Sequence, residues 1–427
     1  MIKKQERRDF MKKLAGNSFI LIVILLFLCT YSYADEYHYV NSIVGERAAG
    51  LGGAYTAVSD DPSGCYYNPA GIVFAPGRRL SISVNAYNVS TKTYKDALHK
   101  TTGEGEDWVL KSSQLLPNFF GVIQQLGPGK IGFSYAVTDS YLRDQEQVFY
   151  NIRSRIPGVF IERYVLNIDD EDKVYNLGPS YALKLRDNLS TGLTLYLHYR
   201  DGKIIRNHLL NLSNGEFDWE NYYLSWREYG LRPILGFMWE PFEKISLGIT
   251  FSRTFLLDSK TRIQQTVRGP ASYGYGVNDV DFRVLESSEK HKYPYITTFG
   301  IAYFPSRFLL FSADLSYNTR VEDRKAVLNG AMGIEYYLSP SLALRAGGFT
   351  DMANTPRLKS GVTNQPEHID IYGGTLSITY FTKNSSLTIG TVYSYGSGKA
   401  QVIPETPAQQ DARINSLTVY IGAGYSY

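Results

Sequence analysis

From Leu80 onward the chain alternates apolar and polar residues one for one, and beyond Leu28 it never offers the roughly 20 consecutive apolar residues that a membrane-crossing helix needs. In Gly192–Arg200 (GLTLYLHYR), Leu193, Leu195, Leu197 and Tyr199 fall on one face, with Gly192, Thr194, Tyr196, His198 and Arg200 on the other. Ile245–Ser252 (ISLGITFS) opposes Ile245, Leu247, Ile249 and Phe251 to Ser246, Gly248, Thr250 and Ser252. Leu309–Tyr317, Leu376–Tyr380 and Leu387–Tyr395 repeat the pattern. A two-residue period puts successive side chains on opposite faces of a strand, so each run predicts a strand with one greasy and one wet face. Such runs cover 80–88, 115–126, 129–143, 174–186, 189–203, 222–239, 244–256, 293–304, 308–320, 327–338, 341–351, 371–383, 386–397 and 415–427, fourteen in all.

The connections sort by parity. Gly127-Pro128, Asp187-Asn188, Pro305-Ser306, Ser339-Pro340 and Asn384-Ser385 make tight turns. Between them fall long polar connections at 89–114, 144–173, 204–221, 257–292, 352–370 and 398–414, with only Val321–Ala326 short. Short turns on one side and long connections on the other are the arrangement of a transmembrane barrel. An even strand number fits too, because backbone groups in lipid are satisfied only by closing the sheet. The expected fold is therefore all-β, a 14-stranded antiparallel transmembrane barrel over 80–427. In the last run (LTVYIGAGYSY), Leu417, Val419, Ile421, Ala423, Tyr425 and Tyr427 share a face, and Tyr427 resembles the C-terminal aromatic through which barrel-assembly machinery receives such proteins. The abundance of Tyr (35) beside scarce Cys (2) and Met (5) suits a sheet whose two faces meet different solvents.

Residues 1–34 read as a signal peptide: basic residues precede the apolar run Phe19–Leu28, and Ser32-Tyr33-Ala34 offers small residues for cleavage before Asp35. Arg7-Arg8-Asp9-Phe10-Met11-Lys12 resembles a twin-arginine export motif, but the strongly apolar run favours export unfolded. Met11 would serve equally well as the start. Leu28 is too large to precede a lipidated Cys29. With six basic and two acidic residues in that segment, a formal charge of +3 leaves +3 − 4 = −1 for the mature chain, which removes any charge argument for nucleic acid. Only Cys65 then remains, so no internal disulfide and no thiolate metal cluster is expected.

Residues 35–79 do not alternate. Their middle, Arg47–Gly71, reads RAAGLGGAYTAVSDDPSGCYYNPAG. Small residues there permit close packing against a wall, and Asp60-Asp61-Pro62-Ser63 has turn and helix-capping chemistry. Such a segment suits the lumen of the barrel, as a hatch. Gly50, Gly52-Gly53-Ala54, the Asp60-Asp61 pair and Asn68-Pro69-Ala70 resemble the N-terminal signature of the FadL family of outer-membrane transporters of long-chain fatty acids and other hydrophobic compounds. That resemblance implies fourteen strands, a luminal N-terminal hatch, a bacterial outer-membrane location, and sideways release of ligand through a gap in the wall whose position the sequence does not reveal. Gly50-Leu51-Gly52-Gly53 is not a dinucleotide-binding fingerprint, since it follows no strand and opens no βαβ unit.

Enzyme signatures are missing. There is no HExxH, GxSxG or Walker loop, and His38, His99, His198, His208, His291 and His368 are scattered rather than paired at ligand spacing. An outer-membrane hydrolase would need a Ser/His couple, for which His198 is the only histidine well placed on a lumen-facing strand position. Neither enzyme activity, cofactor nor metal is therefore expected. Turning the apolar faces to lipid points Arg200, Asp314, Glu335 and Arg345 inward, because an outward Arg at midplane costs about 2–4 kcal/mol. These groups either hold the hatch by ion pairs or meet a carboxylate head; Arg345, with its two-pronged guanidinium, and Arg200 are the ligand candidates. Phe160 and Trp219 stand among apolar residues of the long connections, as a catch surface outside the cell or as packing between loops. The reading is passive uptake by a monomer of fatty acid-like or other hydrophobic molecules, which adsorb outside, enter the barrel and pass the hatch by a conformational shift. The alternative is a barrel of the same fold acting as an interaction or shuttle component of protein secretion.

Overall fold

The computed structural model describes residues 37–427 except 41, 155, 271–275, 277–278 and 404–405; the expected signal peptide and its cleavage site lie outside the described residues. The strands are β1 (Arg79–His99), β2 (Gly105–Leu126), β3 (Gly129–Arg153), β4 (Phe160–Arg186), β5 (Leu189–Leu212), β6 (Phe217–Phe242), β7 (Ile245–Ser252), β8 (Phe255–Arg268), β9 (Asp281–Ser287), β10 (Ile296–Ser306), β11 (Leu309–Asn318), β12 (Val327–Ser339), β13 (Leu342–Asp351), β14 (His368–Phe381), β15 (Ser385–Ala400) and β16 (Gln410–Ser426). Neighbours pair antiparallel from β1 through β7, β7 pairs with β10, and the series runs on to β16, which returns to β1. Fourteen strands thus close a barrel. β8 continues β7 past Arg253-Thr254 and pairs with the outer half of β6, and β9 folds back on it as a hairpin.

All fourteen alternating runs are barrel strands. The long connections, however, are mostly not loops. β1 and β2, β3 and β4, and β5 and β6 run on as paired ladders well past the apolar belt, and among the described residues only short tips at 100–104, 156–159 and 213–216 turn. Beyond the belt both faces are wet, so the alternation that marks a half-buried strand disappears while the hydrogen-bond ladder persists. The two halves of the wall differ: β4 has 27 residues and β6 has 26, against 10 each in β11 and β13.

The outward face defines the membrane level. Tyr135, Tyr175, Tyr199 and Tyr229 stack in a row across β3, β4, β5 and β6, with ring centroids 6.2, 5.9 and 5.0 Å apart. One step beyond them the surface becomes charged: Arg227 Nε lies 3.1 Å from Asp201, and Lys203 Nζ 2.8 Å from Asp169. Between this row and the exposed Trp239, Phe242, Tyr303, Tyr380 and Tyr425 at the turn end, exposed Leu, Ile and Phe face outward. An apolar band edged by aromatic girdles is what a lipid bilayer selects on a barrel. Among the described residues no helix is long and apolar enough to cross a membrane.

Candidate functional site

The N-terminal segment lies inside the barrel, in its turn-end half. It is built from two short α-helices, α1 (Glu46–Gly50) and α2 (Gly64–Tyr67), and a 3-10 helix, Pro69–Phe74. Gly52 (φ 65°) and Gly53 (φ 84°) turn the chain after α1 in the left-handed region, which glycine adopts at little cost. Asp61 closes the next turn by accepting from the Ser63 N–H (2.8 Å) and hydroxyl (2.5 Å). Asn68 caps the 3-10 helix, its Oδ1 accepting from the Ala70 N–H at 3.1 Å, with Pro69 in the first helical position. The Asn68 amide also donates to Thr56 O (2.8 Å) and to Phe237 O of β6 (3.1 Å), tying the segment to itself and to the wall.

Similar ties run round the whole circumference. Ser81 of β1 donates to Glu46 (2.9 Å), Asn118 of β2 to Ile43 O (3.2 Å), Thr194 of β5 to Cys65 O (2.7 Å), and Thr375 of β14 to Gly50 O (3.0 Å). Asp314 of β11 accepts from the Tyr55 and Thr56 N–H groups at 3.0 and 2.9 Å. Glu335 of β12 is shared by two arginines: Arg47 of α1, which also pairs with Asp60, and Arg345 of β13. Only 1% of Glu335 is exposed, so this is a buried network whose disruption would leave charges without partners.

Beneath these bonds lies a feature that the sequence reading missed. At one level of the wall the inward positions of successive strands are glycines, and the segment packs directly on them. A Cβ at Gly192 would come within 2.5 Å of the Pro69 backbone; at Gly248 it would strike Thr56, at Gly333 Leu51 and at Gly347 Gly52. Each of these glycines sits on the polar face of an alternating run, and that coincidence was the available signal.

Two titrating groups of the segment have unusual surroundings. Glu46, 7% exposed, packs on Gly422 of β16, and burial together with the Asp61 carboxylate raises its pKa to about 7. Burial pushes the Cys65 thiol up to about 11, which keeps it protonated and inert.

Above the segment lies a cavity of ≈160 Å³, lined among others by Asn88, Gln114, Ser140, Tyr141, Val392 and Ser416. It reaches a break in the wall. β2 and β3 pair only from Leu126↔Gly129 to Phe119↔Ala136; beyond that, β2 stays on β1 and β3 stays on β4, with no ladder between them. The sequence supplies both causes. Pro117 lacks an N–H for the ladder, and β3 has a register shift at Val137/Asp139 that leaves Thr138 extra. Side chains bridge the break instead. Gln145 and Gln147 donate to Val109 O at 2.7 and 2.6 Å, and Gln114 donates to Ser140 O at 2.8 Å. At the lower end of the seam Leu115 faces outward, 70% exposed.

The remaining candidate residues are placed as follows. Arg345 is held by Glu335 and Thr379, and Arg200 by Asp172 at 2.7 Å; both face the lumen with a carboxylate already in place. Phe160 opens β4 at the far tip, where Ser213 accepts from its N–H at 3.0 Å, and the Trp219 indole donates to Asn207 at 2.9 Å. These two lie far from the cavity level. His198 is buried, bonded to Asn176 (3.3 Å) and edge-on to Tyr293 (5.4 Å), with no serine in that contact. No group of three or more His, Cys, Asp or Glu among the described residues could hold a metal ion.

Fold and interior together define a transmembrane β-barrel whose lumen is filled by its own N-terminal segment. Among solved structures the chain is similar to a Pseudomonas aeruginosa FadL homologue (14% identity over 91% of this chain and 99% of that one, TM-score 0.63). It is similar also to the Pseudomonas putida toluene transporter TodX (15%, 91% and 100%, 0.64) and to the CymD monoaromatic hydrocarbon channel (12%, 91% and 98%, 0.60). The fold is of the FadL type. No protein-family model and no curated protein matches the sequence.

Proposed function

We propose that this protein is a passive outer-membrane uptake channel for hydrophobic or amphipathic small molecules, with residues 35–79 as a fixed hatch and the β2–β3 seam as the exit. The seam is the observation that carries this reading. A ligand passing straight down would have to unseat a hatch bonded to strands around the whole barrel, including a buried ion pair whose breakage alone costs about 3–5 kcal/mol. Leaving through the seam breaks seven side-chain hydrogen bonds, each worth about 0.5–1.5 kcal/mol net, and water or a polar head can replace them one at a time. The side route is the cheaper one, and Leu115 beside it already meets lipid.

In this reading Arg345 and Arg200 hold the hatch and the wall, because a ligand carboxylate would have to displace one already bound. Phe160 and Trp219 belong to the outer tips where a ligand first adsorbs, and Tyr427 is the contact for barrel assembly. The protein works as a monomer, without cofactor or catalytic step. The names of the similar channels, for toluene and monoaromatic hydrocarbons, support the class of cargo and no particular member of it.

The test places cysteines at Gln114 and Ser140 and joins them with a reducible bifunctional thiol reagent; buried Cys65 is shielded from it. Labelled oleate and toluene are offered to a strain lacking its own transporter. Uptake that stops on cross-linking and returns on reduction supports the seam route. Unchanged uptake by cross-linked protein excludes it, and no uptake by the assembled wild type favours the secretion-accessory role instead.

A further inference from the structure

This inference rests on the uptake reading and concerns which ligand the cavity prefers. Asn88 and Ser90 of β1 stand opposite Thr418 and Ser416 of β16, and Ser416 stands opposite Ser394 of β15. All five line the cavity above the hatch, and among the described residues none of their side chains has a hydrogen-bond partner. They form a contiguous grid of four hydroxyls and one amide, each able both to donate and to accept, and none charged. Of the charged groups lining the same cavity, Lys92 is engaged with Glu367, Arg143 with Asp170, and Asp351 with the Tyr39 and Val40 N–H groups, while Lys111 of β2 and Asp139 of β3 line its seam side, across from the grid on β1, β15 and β16. Beside the grid the lining turns apolar at Ile371, Val392 and Ile414, two of which belong to one apolar cluster. The cavity therefore offers a hydrogen-bonding wall and a greasy wall side by side.

We propose that the preferred ligand is an amphiphile with an uncharged, multiply hydroxylated head, of the glyceryl or sugar kind, on an acyl chain. A bare hydrocarbon would strip water from five polar groups and return nothing. A carboxylate can only accept, and would leave half of the grid's capacity unused. Hydroxyls both donate and accept, matching the grid while the chain lies along Ile371, Val392 and Ile414. Sites built to hydrogen-bond a hydroxyl reject analogues lacking it far more strongly than apolar pockets reject a missing methylene.

The experiment uses the mature protein in nanodiscs and radiolabelled 1-monoolein, with methyl oleate and oleate as competitors sharing the same chain. Monoolein is expected to bind at least about tenfold tighter than either. Asn88→Leu combined with Ser416→Ala should abolish that preference, by weakening monoolein relative to methyl oleate. Equal competition by all three in the wild type overturns the proposal and leaves the uptake reading standing; so does a preference that survives the double variant. If none of the three binds to assembled wild type, the uptake reading falls and this inference with it. Should the double variant fail to assemble, the wild-type competition series decides the matter alone.

Discussion

At the scale of single residues, the hatch is held by what the wall lacks as much as by what it presents. Gly192 faces the Pro69 backbone at a distance no side chain can share, so Gly192→Val is expected to push the hatch off its seat, at an overpacking cost of about 1–3 kcal/mol. Its β5 ladder should survive, because β5 still pairs with β4 and β6 on either side. Planar-bilayer recordings should show a several-fold larger conductance with the barrel intact; an unchanged conductance would mean that the hatch yields without leaving. Glu46 supplies a pH dependence whose sign follows from its environment. Its pKa in the docked hatch is about 7, against an ordinary carboxyl value near 4.5 when released. Between those values the docked form keeps a proton that the released form loses, so raising the pH through this window weakens docking, by up to about 1.4 kcal/mol per unit. Docking should be firmest below the window and level off above neutrality. Protease nicking of residues 45–75 should accordingly be faster at pH 8 than at pH 5, and Glu46→Gln should flatten the difference. The reverse order would contradict the assignment.

The seam belongs to the scale of elements, because no single residue makes it. β2 stays paired with β1 through several register shifts and β3 stays with β4, so the two part where Pro117 and the Thr138 bulge meet. The glutamines that span the gap act as removable rungs. Replacing Gln145 and Gln147 together by Leu removes both bonds to Val109 O, and amide exchange in 109–114 and 139–147 is expected to speed up while 129–136 stays protected by its ladder. Equal protection in mutant and wild type would show that the strands are held by something else. Here sequence reasoning had only a proline inside an alternating run to go on. The run itself was legible, since fourteen period-two stretches became fourteen strands, but the outer hairpins were not. Residues such as Glu171, Lys173, Asp201 and Lys203 are polar on the outward face, and a ladder in water leaves no hydrophobic rhythm to read.

For the molecule as a whole, stability rests on closure. Every barrel strand has a partner on each side and the outer face is apolar, so the folded state should persist in SDS until heated, running faster on a gel than the boiled chain. Deleting residues 37–75 should keep that heat-dependent shift, because the wall's ladder does not pass through the hatch, while greatly raising conductance. Loss of the shift on deletion would show that the hatch is part of the barrel's own core. The asymmetry of the wall, with long β1–β6 and short β10–β13, leaves the outer mouth low on one side, which ligands approaching from that direction would meet first.

The period of two, the parity of the turns and the small-residue segment Arg47–Gly71 determined by themselves the kind of fold, its strand number and the segment to look for inside it. Those are local properties, written in which neighbours along the chain must face lipid or water. Which glycines form the seat, which acid Arg47 and Arg345 share, and where β2 parts from β3 depend on strands distant in sequence arriving at one level of the barrel. Only the closed sheet, with its register and shear, decides that.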